Sequence, residues 1–212
     1  MDDNRPQTSR FVTSRPRRAL LVVDVQPTFC EGGELGVDGG NAVAQQVAAY
    51  AKEHRDRYDA ILTTQDWHID PGDHFSTAPD FVNSWPPHGV AGTPNAELHP
   101  AIAGIDADAH VKKGQYDHGY SGFDGADDAG RSLEEILTDA GIGAVDVVGL
   151  VESHCVKHTA LDARQAGLAT RVLTDLTIPV SPEQGEQARA ELRDAGVELV
   201  ASTELGARRP RG

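Results

Sequence analysis

The sequence predicts an α/β fold built on a parallel sheet, and three observations carry that prediction. Residues 18–26 (RALLVVDVQ) and 147–151 are apolar runs without polar alternation, as strands covered on both faces must be. Strand-like and helix-like segments alternate along the chain, which is the pattern of successive right-handed βαβ crossovers. Residues 147–163 (VVGLVESHCVKHTALDA) join the second run directly to a helix, in which Val156, Ala160, Ala163 and Gly167 recur at helical spacing and would let it lie close on a sheet.

Taken in order, the first strand ends in Asp24, a lone acid in an apolar run. A carboxylate there must meet a cation, work as a base, or cap the following turn. Residues 27–40 hold five glycines and read as a loop in which Cys30 is a small filler. Asn41 is placed to cap a helix over 41–57 with Val43, Val47 and Tyr50 on one face, and 58–65 reads as the second strand.

Residues 66–88 (DWHIDPGDHFSTAPDFVNSWPPH) are the most specific segment of the chain. Asp66 and His68 are two apart and point to one side of an extended segment. His74 follows a Pro-Gly turn, and His88 follows two stiffening prolines. Three imidazoles and a carboxylate suit one divalent ion, iron, manganese or zinc, with positions left for water. Each histidine singly would more often be a surface loop residue than a ligand; Asp70, Asp73 and Asp80 are rival ligands that read better as turn and cap residues.

A third strand near 108–113 ends in Lys112-Lys113, followed by a glycine-rich, aromatic loop over 114–125 that could wall a pocket. Helix 132–140, strand 145–151, helix 156–166 closed by Gly167, and strand 171–173 continue the rhythm. A last helix starts at Ser181-Pro182, with Gln184 available for a capping box, and stops at Gly196 before a strand over 197–200. Cys155 falls at the carboxyl end of a strand, where open α/β sheets place ligands. It is either a nucleophile aided by a helix start, by a base and by a cation from elsewhere, or a buried structural thiol.

Composition narrows the function classes. Two cysteines and no apolar leader or spanning segment give the expectation of a cytoplasmic protein without a disulfide framework. The formal charge is −14; the first 18 residues carry five Arg and two Asp, and the last six carry three Arg, so the rest of the chain holds about −20. That charge argues against a nucleic-acid-binding face; the expected partners are a small-molecule substrate and no membrane, with the chain a monomer or a homo-oligomer. Residues 1–17 and 205–212 read as disordered basic tails around a single domain, 18–204.

The motifs VDVQPTFCEGG, DWHIDPGDHF, SWPPH, KGQYDHGYSGF and GLVESHCV, in this order and spacing, resemble the nicotinamidase/pyrazinamidase family of isochorismatase-like cysteine hydrolases. The resemblance implies a three-layer fold with a six-stranded, mostly parallel sheet of order 3-2-1-4-5-6. It implies a catalytic triad of Asp24, Lys113 and Cys155, a metal held by Asp66, His68, His74 and His88, and a substrate slot lined by Phe29, Trp85 and Tyr120. It further implies a cis peptide between Leu150 and Val151, and an oxyanion hole made by the N–H groups of Val151 and Cys155. The activity implied is hydrolysis of nicotinamide to nicotinate and ammonia, with pyrazinamide a second substrate, through a thioester. In that scheme Lys113 and the helix start lower the thiol's pKa and Asp24 accepts its proton. Glu152-Ser153 departs from the Thr-Asp of many relatives. His154 is expected to be a neighbour of the nucleophile rather than its base, and His118 and His158 to be surface or packing residues. The rival expectations are a related hydrolase of ureido or carbamoyl compounds, a non-catalytic metal-binding protein, and a thiol redox sensor using Cys30 and Cys155.

Overall fold

The computed structural model describes residues 15–206. Six strands, β1 (Arg17–Val23), β2 (Ala60–Asp66), β3 (Ala109–Lys113), β4 (Ile142–Leu150), β5 (Ala169–Ile178) and β6 (Glu198–Val200), form one all-parallel sheet of order β3-β2-β1-β4-β5-β6. The expected sheet order is therefore found. The tails expected over 1–17 and 205–212 lie largely outside the described residues; Arg17 already belongs to β1.

Four helices cover the sheet: α1 (Gly40–Glu53), α2 (Leu133–Asp139), α3 (Lys157–Gln165) and α4 (Pro182–Asp194). Alternate residues of β1 show how the layers divide. Ala19, Leu21 and Val23 face α2, α3 and α4 through Leu133, Val156, Ala160, Ala163 and Leu192. Leu20 and Val22 face the other way, onto Val43, Ala44 and Val47 of α1 and onto Tyr58. Both faces of β1 are thus buried, which is why its sequence does not alternate. Truncating a residue such as Leu21 to Ala would cost roughly 2–5 kcal/mol.

Several boundaries differ from the sequence reading. The start of α1 is capped by the Glu31 carboxylate, which accepts from Gly39 N at 2.7 Å and Asn41 N at 2.8 Å, so Asn41 does not cap it. On α4 Ser181 Oγ accepts from Gln184 N as expected, while the full reciprocal box forms on α2 between Ser132 and Glu135. β5 runs far past residue 173, because a bulge lets Val147 pair with Val172 and Gly149 with Thr177. Cys155 does not lie in the first turn of an α-helix. A wider turn, Glu152–Val156, precedes α3, with Val156 N bonded to Val151 O five residues back at 3.3 Å.

One acid inside β4, Asp146, is buried at 1% exposure and fully engaged. Arg18 contacts it, Arg171 meets both oxygens at 2.8 and 2.7 Å, and Tyr58 donates to it at 2.9 Å. Burial and the Asp146 charge push the Tyr58 hydroxyl well above its ordinary range.

Candidate active site

Strand order reverses between β1 and β4, and the carboxyl ends of the strands beside that point carry the reactive groups. Asp24 follows β1 directly, in a left-handed conformation (φ 48°), with its N–H on Thr64 O at 3.2 Å. Thr64 Oγ1 donates to Asp24 Oδ1 at 2.6 Å. Lys113 ends β3 and is wholly buried. Its Nζ stands 2.8 Å from Asp24 Oδ2, donates to Gly119 O at 2.5 Å, contacts Asp66 Oδ1, and lies 3.8 Å from Cys155 Sγ. Lys112 points away, to Asp128 at 3.0 Å and over the Trp67 ring. The three expected residues therefore meet around one ammonium group.

Electrostatics here differ from the expectation. Burial pushes the Cys155 thiol well above its ordinary value, and the charges of Asp24 and Asp66 reinforce it against Lys113. Burial likewise raises Asp24, opposed by Lys113. With two carboxylates and one ammonium already sharing a dry volume, a thiolate would add a second net negative charge. The resting thiol keeps its proton, and Asp24 is the carboxyl group in hydrogen-bonding contact with it. Lys113 itself is raised, because Asp24 and Asp66 outweigh the cost of burying it.

A second cluster adjoins the first through Asp66, whose Oδ2 lies 3.6 Å from His68 Nε2 and 3.7 Å from His88 Nε2. His68 Nδ1 bonds Gly114 O at 2.5 Å and His88 Nδ1 bonds Pro86 O at 2.9 Å. A carbonyl only accepts, so each Nδ1 carries the proton and each Nε2 turns a lone pair inward. Gly114 makes the first contact possible, since at φ 72° a Cβ there would sit 2.5 Å from the His68 ring. One ligand atom from each of His68, His74 and His88 lies within 4.8 Å of the others. His68 Nε2 and His74 Nδ1 are buried without a hydrogen-bond partner. His74 is held neutral, its pKa lowered to about 3 by burial and the neighbouring imidazoles. Burial would raise Asp66, but the Lys113 ammonium holds it well below the usual carboxylate range. Imidazoles turned inward, an ionised carboxylate and orphaned buried nitrogens are what a divalent cation requires, so the residues present fit one.

Both clusters open onto a cavity of about 360 Å³. Phe29, Trp85 and Tyr120 line it as expected, with Asp66, His88 and Cys155. Trp85 Nε1 donates to Tyr120 Oη at 2.9 Å. The Leu150–Val151 peptide is cis, as the resemblance implied, and Val151 borders the cavity.

Asp80 is a loop cap, accepting from the N–H groups of Val82, Asn83 and Ser84, and Asp73 is exposed. Other residues were hidden from the sequence. Gln26 clamps the backbone of Asp66, donating to Asp66 O and accepting from Asp66 N, both at 2.9 Å. His118, expected to be a surface or packing residue, lines the cavity together with His154, the expected neighbour of Cys155, and the His158 ring stacks on Tyr120 with centroids 5.3 Å apart. Only the position of Gln26, two residues after Asp24, could have drawn attention to it. Cys30 belongs to the core on the α1 face and Cys155 to the opposite core, so the two thiols are not poised to pair.

The family described as Isochorismatase domain matches residues 18–204. The nicotinamidase/pyrazinamidase of Mycobacterium tuberculosis is 50% identical over 88% of this chain and 100% of its own length. The nicotinamidase of Escherichia coli is 33% identical over 87% of this chain and 94% of its own length. Among solved structures, PnC1 from L. infantum in complex with nicotinate superposes with a TM-score of 0.79 at 34% identity, covering 92% of this chain and 98% of that one. The Pyrococcus horikoshii pyrazinamidase in complex with zinc gives 0.73 at 32%, covering 88% and 99%. With sheet order, strand-end chemistry and sequence all in agreement along nearly the whole described length, the chain belongs to the isochorismatase family, alongside its nicotinamidases.

Proposed function

We propose that this protein hydrolyses nicotinamide to nicotinate and ammonia, and pyrazinamide to pyrazinoate, within a single hydrolase domain over 18–204. The observation that carries the reading is the meeting of Asp24, Lys113 and Cys155 behind an aromatic cavity that also borders Asp66 and His88. Nicotinamidases that share a third to a half of their residues with this chain support the substrate.

Asp24 takes the thiol proton as Cys155 Sγ attacks the carboxamide carbon, with Lys113 offsetting the charge on either group. The N–H groups of Val151 and Cys155 hold the oxyanion. Asp24 returns the proton to the nitrogen as the C–N bond breaks and ammonia leaves. It then deprotonates the water that cleaves the thioester, and the proton goes back to Cys155 as the carboxylate product departs. Phe29, Trp85 and Tyr120 sandwich and orient the ring. Asp66, His68, His74 and His88 would hold an iron, manganese or zinc ion, which would supply a Lewis acid for the ring nitrogen and for water and a positive charge beside Asp66.

A ureido or carbamoyl substrate offers nothing for three aromatic walls to grip. A purely metal-binding role leaves the buried lysine and thiol without a purpose. Ammonia release from nicotinamide by the metal-loaded protein tests the proposal, with Cys155→Ala expected to abolish release at unchanged metal content. Release by that variant at the parental rate would rule out the covalent route.

A further inference from the structure

The turn that carries the thiol is held from outside the cavity by an ion pair whose carboxylate is buried and whose guanidinium is partly exposed. Glu152, three residues before Cys155 and 1% exposed, accepts from Arg189 Nε and Arg189 Nη2, each at 2.8 Å. Two parallel bonds from a planar guanidinium fix the orientation of a carboxylate as well as its distance. Arg189 lies on α4, and the helix makes room for it: a Cβ on Gly185, one turn earlier, would sit 2.8 Å from Pro179 Cγ and 3.2 Å from Arg189 Nη2. The next residue of the turn is tied to the same region, since Val180 N donates to Ser153 Oγ at 3.2 Å and that hydroxyl bonds His154 Nδ1 at 3.0 Å. Val151, His154 and Cys155 form the cavity wall on this side, and the ion pair stands behind them.

A half-buried ion pair of this kind adds little net stability. What this one supplies is direction. The segment from Glu152 to Val156 is a wide turn rather than regular helix, so its hydrogen bonding alone leaves Cys155 less well aimed than an α-helical turn would. We propose that Arg189 is a positioning residue for the hydrolysis. By forking onto Glu152 it sets the orientation of the turn, so that Sγ faces Lys113 and the Val151 and Cys155 N–H groups face the carboxamide. The inference rests on the reaction proposed above.

Three variants of the full, metal-loaded chain test it: Arg189→Met, Arg189→Lys, and the double variant Glu152→Gln/Arg189→Met, which leaves no stranded carboxylate. The readouts are kcat and KM for nicotinamide, melting temperature, and the rate at which iodoacetamide alkylates Cys155, followed by mass spectrometry. A misaimed nucleophile lowers kcat about 10–100-fold with KM little changed. Arg189→Met should show that loss together with slower alkylation. Arg189→Lys, which keeps one contact, should recover part of it, and the double variant should regain stability without regaining kcat. Parental kcat and alkylation rates in folded variants, with only the melting temperature lowered, would reduce the pair to a staple between turn and helix and overturn the proposal. If Arg189→Met does not fold, the other two variants decide by the same criteria. Should the parent itself release no ammonia from nicotinamide, the reaction is wrong, and unchanged alkylation in the variants would separately overturn the positioning role.

Discussion

Replacing Lys113 by Met would remove one charge and little volume from a wholly buried position. In the parent, Nζ faces Asp24 and Asp66, which are 0% and 3% exposed and offer oxygens within 4.8 Å of one another. Two like charges at that distance repel by about 3 kcal/mol at an effective dielectric of 20, and breaking a buried pair by deleting one partner costs about 3–5 kcal/mol. In chelator-treated protein the variant should therefore lose roughly 3–5 kcal/mol at pH 8. The loss should shrink towards pH 5. Asp24 is already raised from its ordinary 3.8 and rises further without the ammonium. A carboxyl group with a raised folded pKa favours folding while protonated, and that advantage is lost as pH climbs from the unfolded value through the folded one. Urea unfolding of parent and variant at both pH values measures the difference. A loss under about 1 kcal/mol at pH 8, or an equal loss at pH 5, would refute the picture of two carboxylates balanced on one lysine.

Two further outcomes follow from the same geometry. His68→Ala should lower bound metal per chain, measured by elemental analysis, while far-UV circular dichroism stays parental; full metal content would remove His68 from the ligand set. Above pH ~10 the unfolded chain ionises Tyr58 while the folded chain keeps it neutral, so stability should fall by about 1.4 kcal/mol per pH unit from this residue. Tyr58→Phe should flatten that slope, and an unchanged slope would place the alkaline sensitivity elsewhere.

The strand ends were legible because each is marked locally. Apolar runs stop at Asp24 and at the turn before Cys155, and the two-residue step from Asp66 to His68 after the second strand already places both on one side. What stayed hidden depends on contacts distant in sequence. Thr64 meets Asp24 across 40 residues, Arg189 meets Glu152 across 37, and neither pairing leaves a periodic trace. The thiol's raised pKa was also invisible, because it reflects burial and the sum of three charges brought from different strands. The length of β5 was missed because its bulge interrupts a pattern that only its pairing with β4 completes.

Gly149 lies two residues before the cavity wall, at φ 114°, and a Cβ there would come within 2.1 Å of Val23 O, the carbonyl just before Asp24. β1 and β4 can therefore bring Asp24 and Cys155 together only while this position carries no side chain. With Gly114 under the His68 ring, it forms a class of positions that hold no reactive atom and yet tolerate no replacement. A saturation screen for loss of ammonia release should recover these two glycines as readily as the acid, the lysine and the thiol. The map of sensitivity would then trace the clearances between strands as much as the chemistry at their ends.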